Sequence, residues 1–388
     1  MKKYLIIRFG ELFLKKRNRE TFVNKLVNNL KISFEKNNLK SVWLEKSFDQ
    51  LFINVNDLTE IENNVIEDLL KNTFGISNYY RGYLSSKDIY KDIEYFFDNL
   101  NNFLEINFTS FRVSFKRNDK SFPMDSQSLE RKFGGLIAKK YNLKVSLIDY
   151  QKNIEVSIYK NFAIFLINKI KCVGGLPVGT SGKALLLFSG GLDSSVAAYN
   201  LMKRGLEVVY LHFYVDEETD KDKIFKLVKK LEKHNNYNNE IHLINTKKML
   251  KEISHIEIED YRIIILKRMF LRFAERLANL KNISVIANGD SIGQVASQTI
   301  SSLDVIYESI DSKLIISPLI TKDKQEIIDE AKNIDVYDLA IIKYEDCCSI
   351  FQPKNPVTNP KKSVAKYLEE KIIWSEIINN TNIELILI

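Results

Sequence analysis

The sequence is poor in cysteine and histidine. Its 388 residues include three cysteines, Cys172, Cys347 and Cys348, and four histidines, His212, His234, His242 and His255. A disulfide framework is excluded, which leaves reduced-thiol chemistry open. No two cysteines have the C-x-x-C spacing of a structural zinc site, so zinc is not expected. No apolar run reaches the ~18 residues of a membrane-spanning helix. The N-terminal apolar run is broken by Arg8 and Glu11, too short for a secretory signal core. A cytoplasmic protein with no membrane association is therefore expected.

Glycine and proline are also scarce, at 14 and 6, so their clusters are informative. Residues 170–183, IKCVGGLPVGTSGK, hold four glycines and Pro177 and read as a linker. Pro353, Pro356 and Pro360 make 351–362 extended rather than helical. The 45% hydrophobic and 28% charged content excludes wholesale disorder. Charge is uneven: residues 1–170 carry 28 Lys+Arg against 20 Asp+Glu, whereas 171–388 carry 29 against 30. A basic first half joined to a near-neutral second half fits a polyanion-binding module fused to a catalytic one, although a net +8 also fits simple solubility.

Before the linker, strand patterns at 3–9, 42–45, 51–55, 110–116, 145–149, 154–158 and 162–167 alternate with helical ones at 19–36, 60–70, 89–100 and 129–140. One or two small α+β domains are expected. After it, the all-apolar run 184–188 reads as a strand buried on both faces. Further strands at 207–213, 242–245 and 284–288 alternate with helices at 194–204, 222–233 and 262–280. That order predicts an α/β doubly wound sheet of the Rossmann-like kind.

Directly after the first buried strand comes Ser189-Gly190-Gly191-Leu192-Asp193-Ser194-Ser195. The two glycines permit a tight turn. Their N–H groups and the following helix N-terminus can face an anion, with hydroxyl donors from Ser189, Ser194 and Ser195. Asp193 would repel phosphate and makes sense as a ligand of phosphate-bound Mg²⁺. The plainer alternative is a strand–turn–helix whose Ser and Asp side chains are caps. No Gly-Lys-Ser/Thr follows the glycines, so this is not a Walker A loop.

The segment resembles the PP-loop of ATP pyrophosphatases. The chain also carries RFGEL at 8–12, KKRNR at 15–19, DKSFPMDS at 119–126, GGLPVGTSGK at 174–183, GQVASQT at 293–299 and YEDCCSIF at 344–351. Together these resemble the tRNA 4-thiouridine synthase (tRNA sulfurtransferase) family. The resemblance implies a ferredoxin-like domain at 1–75, a THUMP RNA-binding domain at 76–169, the linker at 170–183 and a PP-loop ATP pyrophosphatase domain at 184–388. No rhodanese domain, which some members carry, is expected here. Ser195, Lys16 and Asp290 stand where the family more often has Pro, Gly and Glu.

The resemblance further implies ATP-dependent sulfuration of uridine 8 of tRNA through an adenylated uridine, with ATP and Mg²⁺ as cofactors. The sulfur would travel as a persulfide on Cys348, supplied by a cysteine desulfurase, with Cys347 as a resolving thiol. A thiamine sulfur-carrier protein is a second acceptor in some members, and the family is often a homodimer. Nucleotide contacts are implied at Leu187, Phe188, Ser189, Gly190, Gly191, Asp193, Ser194, Ser195, His212, Phe213, Arg268, Gly289 and Gln298. His212 equally fits a core histidine, Arg268 a solvated basic face, and either vicinal cysteine a small buried apolar group. Arg112, Lys116, Arg117 and Lys120, interleaved with aromatics in FRVSFKRNDKSF, are candidate RNA contacts. Another tRNA-modifying PP-loop ligase, or a tRNA-binding protein without activity, are the rival readings. Residues 1–172 alone are expected to bind tRNA with a log–log salt slope of about −3 to −5. Salt-independent binding in a titration would contradict this.

Overall fold

The computed structural model describes every residue except 41, 48–49, 86–87, 216–220, 344–346 and 352–355, and only the backbone of 13, 16, 47, 348 and 349. Part of the YEDCCSIF motif, Pro353 and the Cys348 side chain therefore lie outside the described residues. The chain divides into two units, residues 1–23 with 30–175, and 24–29 with 176–388.

The first unit is built on one eight-stranded sheet. Its strands are β1 (Lys2–Phe9), β2 (Leu44–Ser47), β3 (Gln50–Asn54), β4 (Ile76–Leu84), β5 (Ser110–Arg117), β6 (Lys144–Val145), β7 (Lys152–Ile158) and β8 (Ala163–Lys171), in the order β2-β3-β1-β4-β8-β7-β5-β6. The helices are α1 (Arg19–Lys36), α2 (Glu60–Asn72), α3 (Ile89–Asp98) and α4 (Ser126–Tyr141). Strand alternation separates two faces. Phe111, Val113 and Phe115 pack with Phe96, Phe97 and Phe133 of α3 and α4. The alternate residues of β1 and β4, Tyr4, Ile6 and Tyr80, pack with Phe52, Ile164 and Leu166 on the other face. β4 pairs with both β1 and β8, so the two small folds share one sheet. The sheet curls enough for Arg8 Nη2 of β1 to meet Glu155 Oε1 of β7 at 2.9 Å, although β4 and β8 lie between their strands.

Two strand expectations change in extent, and one strand, β4, was not expected. The strand at 145–149 shrinks to Lys144–Val145 because only Ser110 and Phe111 are available as partners, and Leu147 and Ile148 point to solvent. The strand at 162–167 runs on to Lys171, inside the expected linker, because Asn78 pairs with Lys171. β4 carries no clear periodicity, since Asn78, Arg81 and Gly82 interrupt its aromatics.

The second unit has strands β9 (Lys183–Leu187), β10 (Glu207–Tyr214), β11 (Glu240–Asn245), β12 (Val285–Ala287), β13 (Leu314–Ile316) and β14 (Ile383–Leu387), in the order β13-β12-β9-β10-β11-β14. All pairings are parallel except that of β14 with β11. The helices are α5 (Leu192–Lys203), α6 (Asp222–Leu231), α7 (Lys247–Ser254), α8 (Arg262–Leu280), α9 (Ile300–Tyr307), α10 (Lys324–Asn333), α11 (Tyr337–Ala340), α12 (Lys362–Glu370) and α13 (Trp374–Asn380). β9 lies between β10 and β12, so the connections leave it in opposite directions. The carboxyl end of β9 is thus a topological switch point, where sheets of this kind open a ligand crevice.

Gly82 sits at a pairing irregularity, and a Cβ there would lie 2.3 Å from the Phe165 carbonyl oxygen. Gly82→Ala should lower the unfolding free energy by about 1–3 kcal/mol in urea titrations. Gly135→Ala in α4, which meets nothing within 4 Å, should instead raise it by about 0.5–1 kcal/mol.

Candidate active site

A cleft of about 310 Å³ opens at the switch point, walled by the ends of β9, β10 and β12, by α8 and by residues 294–298. Its base is the Ser189–Ser195 turn. Gly190 adopts φ +77°, a conformation that favours glycine. Gly191 is the N-cap of α5 and offers no side-chain cap, so the first N–H groups of that helix are left for another acceptor. The serines organise the turn: Ser189 Oγ lies 3.2 Å from Ser194 Oγ, and Ser195 Oγ donates to the Gly191 carbonyl at 3.0 Å. A Cβ on Gly289 would lie 2.8 Å from the Asp193 carbonyl carbon. Only glycine lets the loop after β12 approach the first turn of α5 so closely.

Asp193 faces the cleft and is doubly engaged. Lys324 Nζ, at the start of α10, meets its Oδ1 at 2.8 Å, and Gln294 Nε2 donates to its Oδ2 at 2.8 Å. Lys324 was not expected from the sequence. It lies 131 positions from Asp193, and only the Asp323-x-x-Glu326 capping box that starts its helix is visible locally. A second acid lines the same cleft. Asp290 accepts from Gln298 Nε2 at 2.9 Å and from Tyr307 Oη at 2.9 Å, and Lys267 Nζ lies 3.3 Å away. Burial, and then the Asp290 charge, push the Tyr307 phenol far up, which keeps it a donor.

Of the expected nucleotide contacts, Leu187, Phe188, Ser189, Asp193, Ser194, Phe213, Gly289 and Gln298 line this cleft. Gly190 and Gly191 form the turn beneath it, and Ser195 points back into its helix. His212 is buried and donates from Nδ1 to the Phe188 carbonyl at 2.8 Å. Burial pulls its imidazole down to about 4, against the opposing effect of that bond. It is a neutral core histidine that ties β10 to the end of β9, and its side chain does not reach the cleft. Arg268 requires a correction. It is 1% exposed and faces away, with Nη2 2.7 Å from Glu369 Oε2 and Nη1 bonded to the Val305 carbonyl. Lys267, one residue earlier, is the α8 cation that lines the cleft; a turn of about 100° per residue separates adjacent side chains.

The 3₁₀ turn Cys347–Phe351 lies beside the ends of β10 and β11. Cys347 is fully buried, its Sγ 3.3 Å from Thr246 Oγ1 and 3.5 Å from the carbonyl of Phe213, itself a cleft residue. Its thiol packs in the core, so action as a resolving thiol would require this turn to open. Among the described residues no three His, Cys, Asp or Glu side chains group as a metal site, and no helix is long and apolar enough to cross a membrane.

In the first unit, Arg112 and Lys116 share the face of β5 opposite α3 and α4. Arg112 Cζ lies 5.9 Å from the Tyr150 ring centre. Lys116 and Lys120 are exposed. Arg117 instead holds its own loop, donating to the carbonyls of Phe122 and Met124 at 3.0 and 3.1 Å.

A glycine turn and a helix N-terminus at the switch point, beneath a cleft with paired lysines and acids, define a PP-loop nucleotide-binding domain. It follows ferredoxin-like and THUMP folds. The family model for the thiamine biosynthesis protein ThiI matches residues 179–373, that for the ThiI ferredoxin-like domain 4–80 and that for the THUMP domain 87–168. The chain is 36% identical over 387 residues to the probable tRNA sulfurtransferase of Mycoplasmopsis synoviae (strain 53), covering 98% of each. It is 33% identical to that of Acholeplasma laidlawii (strain PG-8A), covering 98% of this chain and 92% of the relative. A 4-thiouridine synthetase crystallised with RNA and bound ATP matches over 100% of both chains, with a TM-score of 0.87 and 28% identity. The chain belongs to the tRNA sulfurtransferase (ThiI) family of transferases.

Removing Arg268 leaves the buried Glu369 carboxylate to the partly exposed Arg272, whose Nη2 lies 3.2 Å from Oε2. Arg268→Ala should therefore cost about 3–5 kcal/mol of stability in urea. Lys267→Ala should cost at most about 1–2 kcal/mol, because Gln298 and Tyr307 still serve Asp290. Equal losses would contradict the assignment of Arg268 to the core.

Proposed function

We propose that the protein uses ATP to place sulfur on uridine 8 of tRNA, giving 4-thiouridine. The observation that carries this reading is the SGGLDSS turn lining the crevice, with the Cys347–Phe351 turn packed behind its wall on the Phe213 carbonyl. The family's relatives and the RNA- and ATP-bound structure support it.

ATP supplies an adenylate that makes the C4 oxygen of uridine a good leaving group. The turn at 189–195 holds the phosphates with its N–H groups and hydroxyls, and Lys267 and Lys324 offset their charge. The adenine end fits the apolar wall, where Phe213 and Phe270 stack at 4.1 Å. Asp193 could hold Mg²⁺ only by releasing Lys324, so its carboxylate fits the ion when phosphate takes the lysine. As the uridine oxygen bonds to the α-phosphorus, pyrophosphate leaves and N3 gives its proton to solvent. The terminal sulfur of a Cys348 persulfide, delivered by a cysteine desulfurase, then bonds to C4 and AMP departs. A second thiol opens the resulting disulfide and frees 4-thiouridine. Because Cys347 is buried, an external thiol does this unless the turn opens. Arg112, Lys116 and Lys120 are RNA contacts in this reading, whereas Arg117 shapes their loop. A cytoplasmic location, a homodimer and sulfur delivery to a thiamine sulfur carrier belong to the same proposal.

The test follows AMP formation and 4-thiouridine in parallel. Asp193→Ala should lower AMP formation by roughly 10²-fold or more. Cys348→Ser should still form AMP in the presence of tRNA yet incorporate no sulfur from a desulfurase. Normal thiolation by Cys348→Ser would move the sulfur carrier elsewhere.

A further inference from the structure

Gln294 lines the cleft from the loop between β12 and α9. The Asp193 carboxylate can only accept, so the side-chain amide must present its nitrogen there, and it does so at 2.8 Å. The amide is thereby fixed, and its carbonyl Oε1 is buried in the free protein with no hydrogen-bond partner, so a base reaches it only by displacing the side chains over it. An acceptor left unpaired in this way is costly until a donor arrives. The neighbouring side chains differ in kind: Ile292 is 46% exposed and Val295 is 51% exposed.

The loop is held rather than loose. Ile292 N donates to the Ile320 carbonyl at 3.1 Å, Gly293 N to the Gln298 carbonyl at 3.0 Å, and Ser291 Oγ to the Lys322 carbonyl at 2.7 Å. Exposed apolar side chains two positions before and one position after the residue that carries this acceptor, with Val295 lining the same cleft, suit a flat heterocycle that offers a single N–H from its edge. Phosphate does not fit this spot, because it carries acceptors only. Uridine fits, since N3–H is its one edge donor and lies beside C4. Cytidine does not, because its N3 is an acceptor and would face the carbonyl.

We infer that Gln294 is a specificity-determining residue that accepts the N3–H of the target uridine, with Ile292 and Val295 against the base; this rests on uridine being the substrate. The same residue then touches both substrates' sites, with its nitrogen on Asp193 and its oxygen on the base. Uridine is read at the atom next to the carbon that reacts, in the complex that precedes adenylation, before N3 gives up its proton.

The test uses the full chain, α,β-methylene-ATP to prevent turnover, and tRNA with either uridine or cytidine at position 8. The wild-type protein should bind the uridine form about tenfold more tightly, the worth of one such contact. Gln294→Met, which keeps length but removes the acceptor, should bring the ratio close to one. Its affinity for the cytidine form should not fall, and thermal unfolding should confirm that it is folded. A preference retained by Gln294→Met, or absent in the wild type, would overturn the inference. So would a large loss of α,β-methylene-ATP affinity measured without tRNA, which would place Gln294 in the nucleotide subsite. A wild-type protein that forms no 4-thiouridine with ATP and a persulfide donor would instead defeat the sulfur-transfer reading itself.

Discussion

The close approach of Gly289 to the first turn of α5 governs the geometry of the site. The gap there has no room for a Cβ, so the loop following β12 lies directly against the turn following β9. Residues distant in sequence converge as a result. Asp193 comes from the turn, Asp290 and Gln294 from the β12 loop, and Lys324 from the start of α10. The parallel sheet supplies the frame, because β10 and β12 flank β9 and leave the crevice open at their carboxyl ends.

Charge in the cleft is arranged as two exchangeable pairs. Lys324 rests on Asp193 and Lys267 on Asp290. A polyphosphate that enters competes with each acid for its lysine, and the displaced carboxylates become free for a cation or a donor. Lys324 with Asp193 is partly solvated and worth little as stabilisation, whereas Lys267 with Asp290 is more buried and is one of several contacts to that acid. The contrasting case is Arg268 with Glu369, buried away from this cleft, where the ion pair fixes α8 against α12.

The sequence carried the turn, the switch point and the order of folds because each has a local signature: an apolar run, two adjacent glycines, a following helix. It did not carry Lys324, whose partner is remote and whose own neighbourhood reads as an ordinary helix start. The resemblance implied Arg268 as a nucleotide contact, whereas the structure turns Lys267 to the cleft, and nothing local in a mostly buried helix reveals which of two adjacent bases faces it. β4 escaped notice for a related reason. Its stability comes from pairing on both edges, and its polar and glycine residues hide the alternation. Cys347 looked like a chemical partner of Cys348 from adjacency alone, and only the packing against Thr246 and Phe213 shows where its sulfur points.

Sulfur transfer to tRNA at this crevice leaves a product that can be read directly in the nucleosides. Mass spectrometry of nucleosides from tRNA of cells with and without the protein tests it most directly. 4-Thiouridine at position 8 should be found only when the protein is present, restored by the wild-type chain and not by one carrying Asp193→Ala. Equal 4-thiouridine in both tRNA pools would contradict it.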